Sequence, residues 1–353
     1  VSKVLGRLGT LDGVFDMSQT QLTEAGLNMR QAEAVISRNV DRKFVEKEIA
    51  LARKNRIDII TPEDGAYPPM LKEIYAPPPV LYAKGRQESL RMPSIAIVGS
   101  RKAGRQSLAY TEKLGGDLAE LGFSVVSGFA AGIDIYAHKG AAGKGYTTAV
   151  MGNGLMNLYP ESNRKYVDMV LESGCFISEF PLEEPPHAHN FPIRNRIISG
   201  ISHGVVIVEA SNKSGSLITA RYANEQGREV FAVPASPDSR NRATNELIKN
   251  GAKLAESYYD VVEEFSHLLP GVKFIDKQEE SYIVFDNPEK QKVFNFLEQG
   301  PLSRDELCIL AGFKIEEMMV FLSEMELEGF ILCDIDGKYR VNGGAGGKVC
   351  DCP

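Results

Sequence analysis

Ile95-Ala96-Ile97-Val98-Gly99-Ser100-Arg101-Lys102-Ala103-Gly104-Arg105 is the stretch on which the fold turns. Four apolar residues with no polar alternation make a strand only where both of its faces are covered. Gly99 then turns the chain, and an amphipathic stretch runs on to Leu121. The same unit recurs. Phe123–Ser127 reads as the next strand and is followed by a helical stretch over Asp134–Ala142. Tyr146–Met151, Cys175–Ser178, Val205–Val208 and Val230–Val233 continue the series, with helical stretches between them. Buried strands alternating with helices predict an α/β domain, a doubly wound, Rossmann-like parallel sheet over residues 93–265.

Reading outward from that sheet, residues 1–57 hold short apolar-periodic stretches around Leu22–Leu27 and Val35-Ile36, the pattern of a small helical domain. The chain opens on Val1 rather than Met, so a piece upstream of it is expected. Residues 58–92 carry Pro62, Pro68, Pro69, Pro77, Pro78 and Pro79, which predict an extended, wrapping connector and not a helix. A charged linker, 266–280, leads to helical patterns over Lys292–Leu297, Ser303–Ala311 and Ile315–Glu328. Asp336-Gly337 between two apolar stretches signals a two-residue hairpin, so residues 281–342 read as a winged helix. Residues 343–353, opening on a glycine-rich run, read as a flexible tail.

The 353 residues carry a net charge of −7. Residues 1–92 hold 14 Lys and Arg against 12 Asp and Glu, residues 93–265 hold 17 against 19, and residues 266–353 hold 9 against 16. The whole excess therefore lies in the C-terminal piece. It should repel phosphate and favour a protein contact or a structural role, while the near-neutral sheet domain can still carry a local basic stripe. No apolar run approaches the roughly 18–20 residues of a membrane span, so no membrane partner is expected. Cys175, Cys308, Cys333, Cys350 and Cys352 are scattered and odd in number, which fits free thiols in a reducing cytoplasm. Cys350-Asp351-Cys352 lacks the paired partners of a zinc site, and the five histidines show no ligand spacing, so no metal is expected. Neither a GxSxG elbow nor a Walker A loop occurs, which argues against an enzyme.

Ligands of such a sheet bind beyond the carboxyl ends of its strands, and four segments follow those ends. In the first, Gly99 lets the backbone turn while Ser100, Arg101, Lys102, Arg105 and the next helix's amides suit an anion. The segment is not GxGxxG, and no acid closes the second strand to hold a ribose, so no dinucleotide cofactor is expected. In the second, Gly128-Phe129-Ala130-Ala131-Gly132 permits close backbone approach, with Asp134 as a helix cap. The third is Phe191-Pro192-Ile193-Arg194-Asn195-Arg196. Pro192 starts a helix, so its arginines lie at the end where the dipole opposes them, which points to bound anions unless a carboxylate such as Glu209 pairs with them. Phe191 adds an aromatic face for a base. In the fourth, Lys213-Ser214-Gly215-Ser216 presents hydroxyls and amides at a helix start, either as an anion cradle or as a plain N-cap.

VGSRKAG, SGFAAGIDIYAH, FPIRNRIISGIS, VVIVEASNKSGSLITARYANEQGREVFAVPAS and NELIKNGA, in this order, resemble the DprA/Smf family of DNA-processing proteins over about residues 60–265. The N-terminal helices are similar to that family's SAM-like domain, and the winged helix to a domain some members carry. The resemblance implies binding of single-stranded DNA without sequence preference, its protection, and loading of a RecA-type recombinase during transformation. It also implies a homodimer formed through the Rossmann-like domain. By the family's motifs Arg101, Phe191, Arg194, Arg196 and the Ser214–Ser216 turn line the DNA groove. Two departures stand out. Ala188, flanked by His187 and His189, occupies a position where some relatives carry lysine, and Ala235 one where many carry glycine. The competing reading is a phosphoribohydrolase-like nucleotide-processing enzyme using Glu209 with Arg101.

Overall fold

The computed structural model describes residues 13–38, 40–236, 242–269, 285, 287–334 and 336–342. The expected tail 343–353 and residues 270–280 of the expected linker lie outside them. The chain divides into two compact units, Val1–Phe274 and Ile275–Pro353.

The first unit is built on a nine-stranded sheet. Its strands are β1 (Asp58–Ile60), β2 (Leu81–Gly85), β3 (Ser94–Val98), β4 (Ser124–Ser127), β5 (Thr147–Val150), β6 (Gly174–Ser178), β7 (Gly204–Ile207), β8 (Glu229–Ala232) and β9 (Lys253–Leu254). They lie in the order β1-β2-β6-β5-β4-β3-β7-β8-β9. From β6 to β9 every pairing is parallel. The parallel part starts at β3, winds outward through β4, β5 and β6, then returns to the other side of β3 for β7, β8 and β9. The switch point therefore lies between β3 and β7.

The unalternated runs do bury both faces. Ile95 and Ile97 pack with Leu114, Leu118, Phe123 and Ile133 on one side, while Ala96 and Val98 pack with Ile197, Ile198, Val205 and Ile207 on the other. Helices Arg105–Glu120 and Ile133–Ala141 cover the first face and pack against each other so closely that a Cβ on Gly140 would lie 1.9 Å from the carbonyl oxygen of Glu112. Helices Asn190–Gly200 and Ser216–Glu225 cover the second.

The expected connector 58–92 differs from its sequence reading. It supplies β1 and β2, an antiparallel edge joined to β6 through pairs such as Ala83 with Ile177. It also forms a short helix at Pro69–Lys72. Tyr67, 2% exposed, donates from its hydroxyl to the Pro78 carbonyl at 2.8 Å and anchors the proline loop against the core. The prolines punctuate this segment, but burial of Tyr67, Leu71, Leu81 and Ala83 decides its shape.

Preceding the sheet are helices Gln19–Glu24, Met29–Ile36 and Arg42–Lys54. The first two start with reciprocal caps, Ser18 with Gln21 and Asn28 with Gln31. Glu48 of the third accepts from the amide of Leu182 at 3.0 Å, fastening the helix beside the sheet's edge.

In the second unit, helices Pro288–Glu298, Arg304–Ala311 and Ile315–Leu327 surround a core of Val293, Phe294, Leu307, Phe321 and Leu322. Strands β10 (Leu302–Ser303), β11 (Ile331–Cys333) and β12 (Lys338–Val341) form the wing in the order β10-β12-β11.

Candidate functional site

A cavity of about 760 Å³ opens above the carboxyl ends of β3 and β7. Gly99, Ser100, Arg101 and Lys102 line it from the turn after β3. Phe191, Arg194 and Asn195 line it from one helix, and Ser214, Gly215 and Ser216 from the turn after β7. Ala130 and Asp134 line it from the turn after β4, so all four sequence segments meet at one place.

Close backbone packing builds the floor. A Cβ on Gly99 would lie 2.7 Å from Ile133 Cγ1, and one on Gly132, at φ +83°, would lie 2.3 Å from the Ser100 carbonyl oxygen. Only glycine lets the two turns interlock here. The Ile133 amide then donates to Ser100 O at 3.2 Å. Arg101 and Lys102 remain exposed, and the Lys102 amide donates to Ser100 Oγ at 3.1 Å. Asn195 Nδ2 donates to the Gly215 carbonyl at 3.2 Å, tying the helix to the Ser-Gly-Ser turn. Within that turn Ser214 Oγ and Ser216 Oγ are 2.7 Å apart, so hydroxyls and helix-start amides converge.

A shallower cleft of about 340 Å³ shares Ser214 and Ile218 with the cavity and adds Lys213 and Arg221. Arg221 escaped the sequence reading. Its signal was its place four residues, about one helical turn, after Leu217, which lines the same cleft. Together the two depressions carry the exposed cations Arg101, Lys102, Lys213 and Arg221.

Several expected binding residues are not available in the way the sequence suggested. Arg194 touches the cavity but is only 4% exposed. Its guanidinium donates to the Gly128 carbonyl at 2.8 Å and also to that of Val150. It faces Asp134 across Gly128, where a Cβ would lie within 2.6 Å of the guanidinium nitrogens and 2.7 Å of the carboxylate. Burial lowers the Arg194 pKa to about 10, with Asp134 opposing that fall and Arg101 adding to it. Burial likewise raises Asp134, against the pull of Arg194 and the Ala130 and Gly128 amides. Arg194 is thus a strut under the floor, joining two strand-end loops, and Asp134 caps the glycine turn behind it.

Arg196 pairs with Glu179, both side chains being under 20% exposed, and does not line the cavity. The partner comes from the end of β6, not Glu209. Helix Asn190–Gly200 begins two residues before Pro192, so both arginines fall in its second turn and the expected clash with the dipole largely disappears. Phe129 is a correction too. Its ring is fully buried, edge-on to Phe176 at 4.9 Å, and its φ of +56° turns the loop inward. Gly128 is buried beneath the cavity, where its carbonyl holds Arg194. Arg105 is exposed as the first residue of its helix but does not line the cavity.

Glu209, 8% exposed, accepts from the Gly104 amide at 3.1 Å and is not among the residues lining the cavity. It bolts the β3 turn to β7, and the carboxylate that the enzymatic reading required does not face the space where a nucleotide would sit. His138 is buried against Thr147, its ring nitrogen 2.7 Å from the hydroxyl. Burial, aided by Arg194, pushes its pKa down to about 3, so it stays neutral. At the rim, His187 and His189 are exposed and stacked at 5.4 Å, with Ala188 between them lining the cavity. Among the described residues no group of three or more His, Cys, Asp or Glu is arranged to hold a metal. No helix there is long and apolar enough to cross a membrane.

Tyr159 was missed by the sequence reading. It lines the cavity, is 39% exposed, and lies 5.5 Å from the Phe191 ring. It stands in the loop after β5, another strand end at which ligands of this architecture gather.

The pattern of a family described as DNA recombination-mediator protein A matches residues 58–266, and that of a DprA winged helix domain matches residues 285–334. The chain is 37% identical over 335 residues to protein Smf of Escherichia coli, which covers 91% of this chain and 86% of that protein. The solved structure of DNA processing protein A from Streptococcus pneumoniae is similar at a TM-score of 0.64 and 35% identity, covering 74% of this chain and 91% of that one. That of DNA processing protein A from Helicobacter pylori, described for its single-stranded DNA binding mode, is similar at a TM-score of 0.54 and 28% identity, covering 60% and 96%.

Proposed function

The chain belongs to the DNA recombination-mediator protein A family, and from that premise we propose that it binds single-stranded DNA without sequence preference. In the same reading it shields the strand and passes it to a RecA-type recombinase, acting in the cytoplasm as a homodimer formed through the sheet domain. The single-strand step is the part that the site's geometry supports. One observation carries it: a single cavity combines exposed cations and hydroxyls, Arg101, Lys102 and Ser214, with aromatic rings, Phe191 and Tyr159. Cations and hydroxyls hold phosphates of any sequence, and aromatic faces accept any base. Only a strand with unpaired bases can use both at once. The family's description as a recombination mediator, and the single-strand mode described for the Helicobacter pylori relative, support the same reading.

The test is a pair of dissociation constants, for one oligonucleotide single-stranded and the same sequence in duplex. Base stacking of about 1–3 kcal/mol predicts a preference for the single strand of at least about fivefold. Equal affinity for the two would overturn the proposal.

A further inference from the structure

We propose that Tyr159 is the ring on which a base of the bound strand stacks, with Phe191 acting as its support; this rests on the single-strand reading of the cavity. The sequence points first to Phe191, but that ring is already engaged. A Cβ on Gly152 would lie 2.7 Å from Phe191 Cδ1, so the ring is pressed against the backbone of the loop after β5. Arg101 stands 5.6 Å from the Phe191 centroid and Arg194 5.9 Å. A base reaching Phe191 would have to displace a cation favourably placed on its π face.

Tyr159 has no such cover. It is 39% exposed at the cavity, and its ring meets Phe191 at 5.5 Å and a 43° tilt. The side chain makes no hydrogen bond among the described residues, so the ring is held by its backbone and by Phe191.

That backbone is fastened unusually well for a loop. Asn153, fully buried, donates to the carbonyls of Gly154, at 3.1 Å, and of Asn157, while its own carbonyl accepts from Ser178 Oγ at 2.8 Å. Asn157 donates to the Glu183 carbonyl at 2.6 Å, and the Met156 amide to that of Leu182 at 2.9 Å. Beyond Tyr159, Asn163 donates to the Phe129 carbonyl at 3.0 Å. Three asparagines thus lock the segment that presents one exposed aromatic ring to the cavity. A ring fixed before binding loses little freedom when a base settles on it, which is what an efficient stacking platform needs. The ligand class is a planar heteroaromatic base on a flexible backbone, read by its face and not its edges.

The experiment uses the full chain and two fluorescent probes of equal length, oligo-dT and a strand of abasic tetrahydrofuran units. Tyr159→Ala should weaken oligo-dT binding about tenfold and leave abasic binding unchanged. Tyr159→Leu, which keeps apolar bulk but removes the π face, should behave like alanine, and Tyr159→Phe like wild type. An equal loss on both probes would make Tyr159 a structural residue and overturn the proposal, as would unchanged oligo-dT affinity in both the alanine and leucine variants. If wild type binds neither probe, the single-strand reading itself fails and Tyr159 falls with it, a result distinct from the other two.

Discussion

Above β3 and β7, Arg101 and Lys102 stand exposed beside hydroxyls and aromatic rings. In the winged-helix unit, helix Ile315–Leu327 occupies the place where helix-turn-helix folds put the element that enters a DNA groove. It carries Glu316, Glu317, Glu324 and Glu326 and no Lys or Arg. Its outward side adds Met319, Val320 and Leu327, at 42%, 53% and 89% exposure. Two folds that commonly meet nucleic acid are thus joined in one chain, and they differ in the charge they present. A fold supplies the platform; the side chains on it decide whether phosphate is welcome.

The largest effect expected on either side of this comparison is one of stability. Arg194 is the buried cation under the cavity, compensated by Asp134 and two carbonyls. Arg194→Ala leaves Asp134 buried without its counter-charge and frees both strand-end loops. Denaturant unfolding of the variant should show a loss of about 3–5 kcal/mol. A loss below about 1 kcal/mol, with DNA affinity strongly reduced, would make Arg194 a direct phosphate ligand instead of a strut.

A much smaller effect is expected from removing the acidic unit. A chain ending at Phe274, where the first compact unit ends, should bind single-stranded DNA within about twofold of the full chain, because it loses repulsion and no phosphate contact. A loss of most of the affinity on that truncation would erase the contrast between the two regions.

The sheet could be read from sequence because its strands are apolar on both faces, a pattern with few other homes. The connector could not. β1 and β2 become strands only by pairing along the edge of β6, and prolines such as Pro68 and Pro78 hide that from local reasoning. In the site, the glycine and serine turns were legible because ligands of this architecture gather at strand ends. The fates of the arginines were not. Arg194 and Arg196 are two residues apart, but burial of one under Gly128 and pairing of the other with Glu179 depend on loops remote in sequence. Phe129 stands in a turn read for its close backbone approach, but its ring, carried at a positive φ, lies in the core. Tyr159 went unnoticed because the loop that displays it is held by asparagine-to-backbone bonds that leave no periodic trace.

The most direct test of a cationic single-strand track is the salt dependence of oligo-dT affinity for wild type and Arg101→Ala. Four phosphate contacts, from Arg101, Lys102, Lys213 and Arg221, predict a log–log slope of about −3, at roughly 0.7 per phosphate for single strands. Arg101→Ala should bind more weakly in moderate salt and show a slope shallower by about 0.7, with no change in thermal stability. An Arg101→Ala chain with wild-type affinity and an unaltered slope would contradict the central claim.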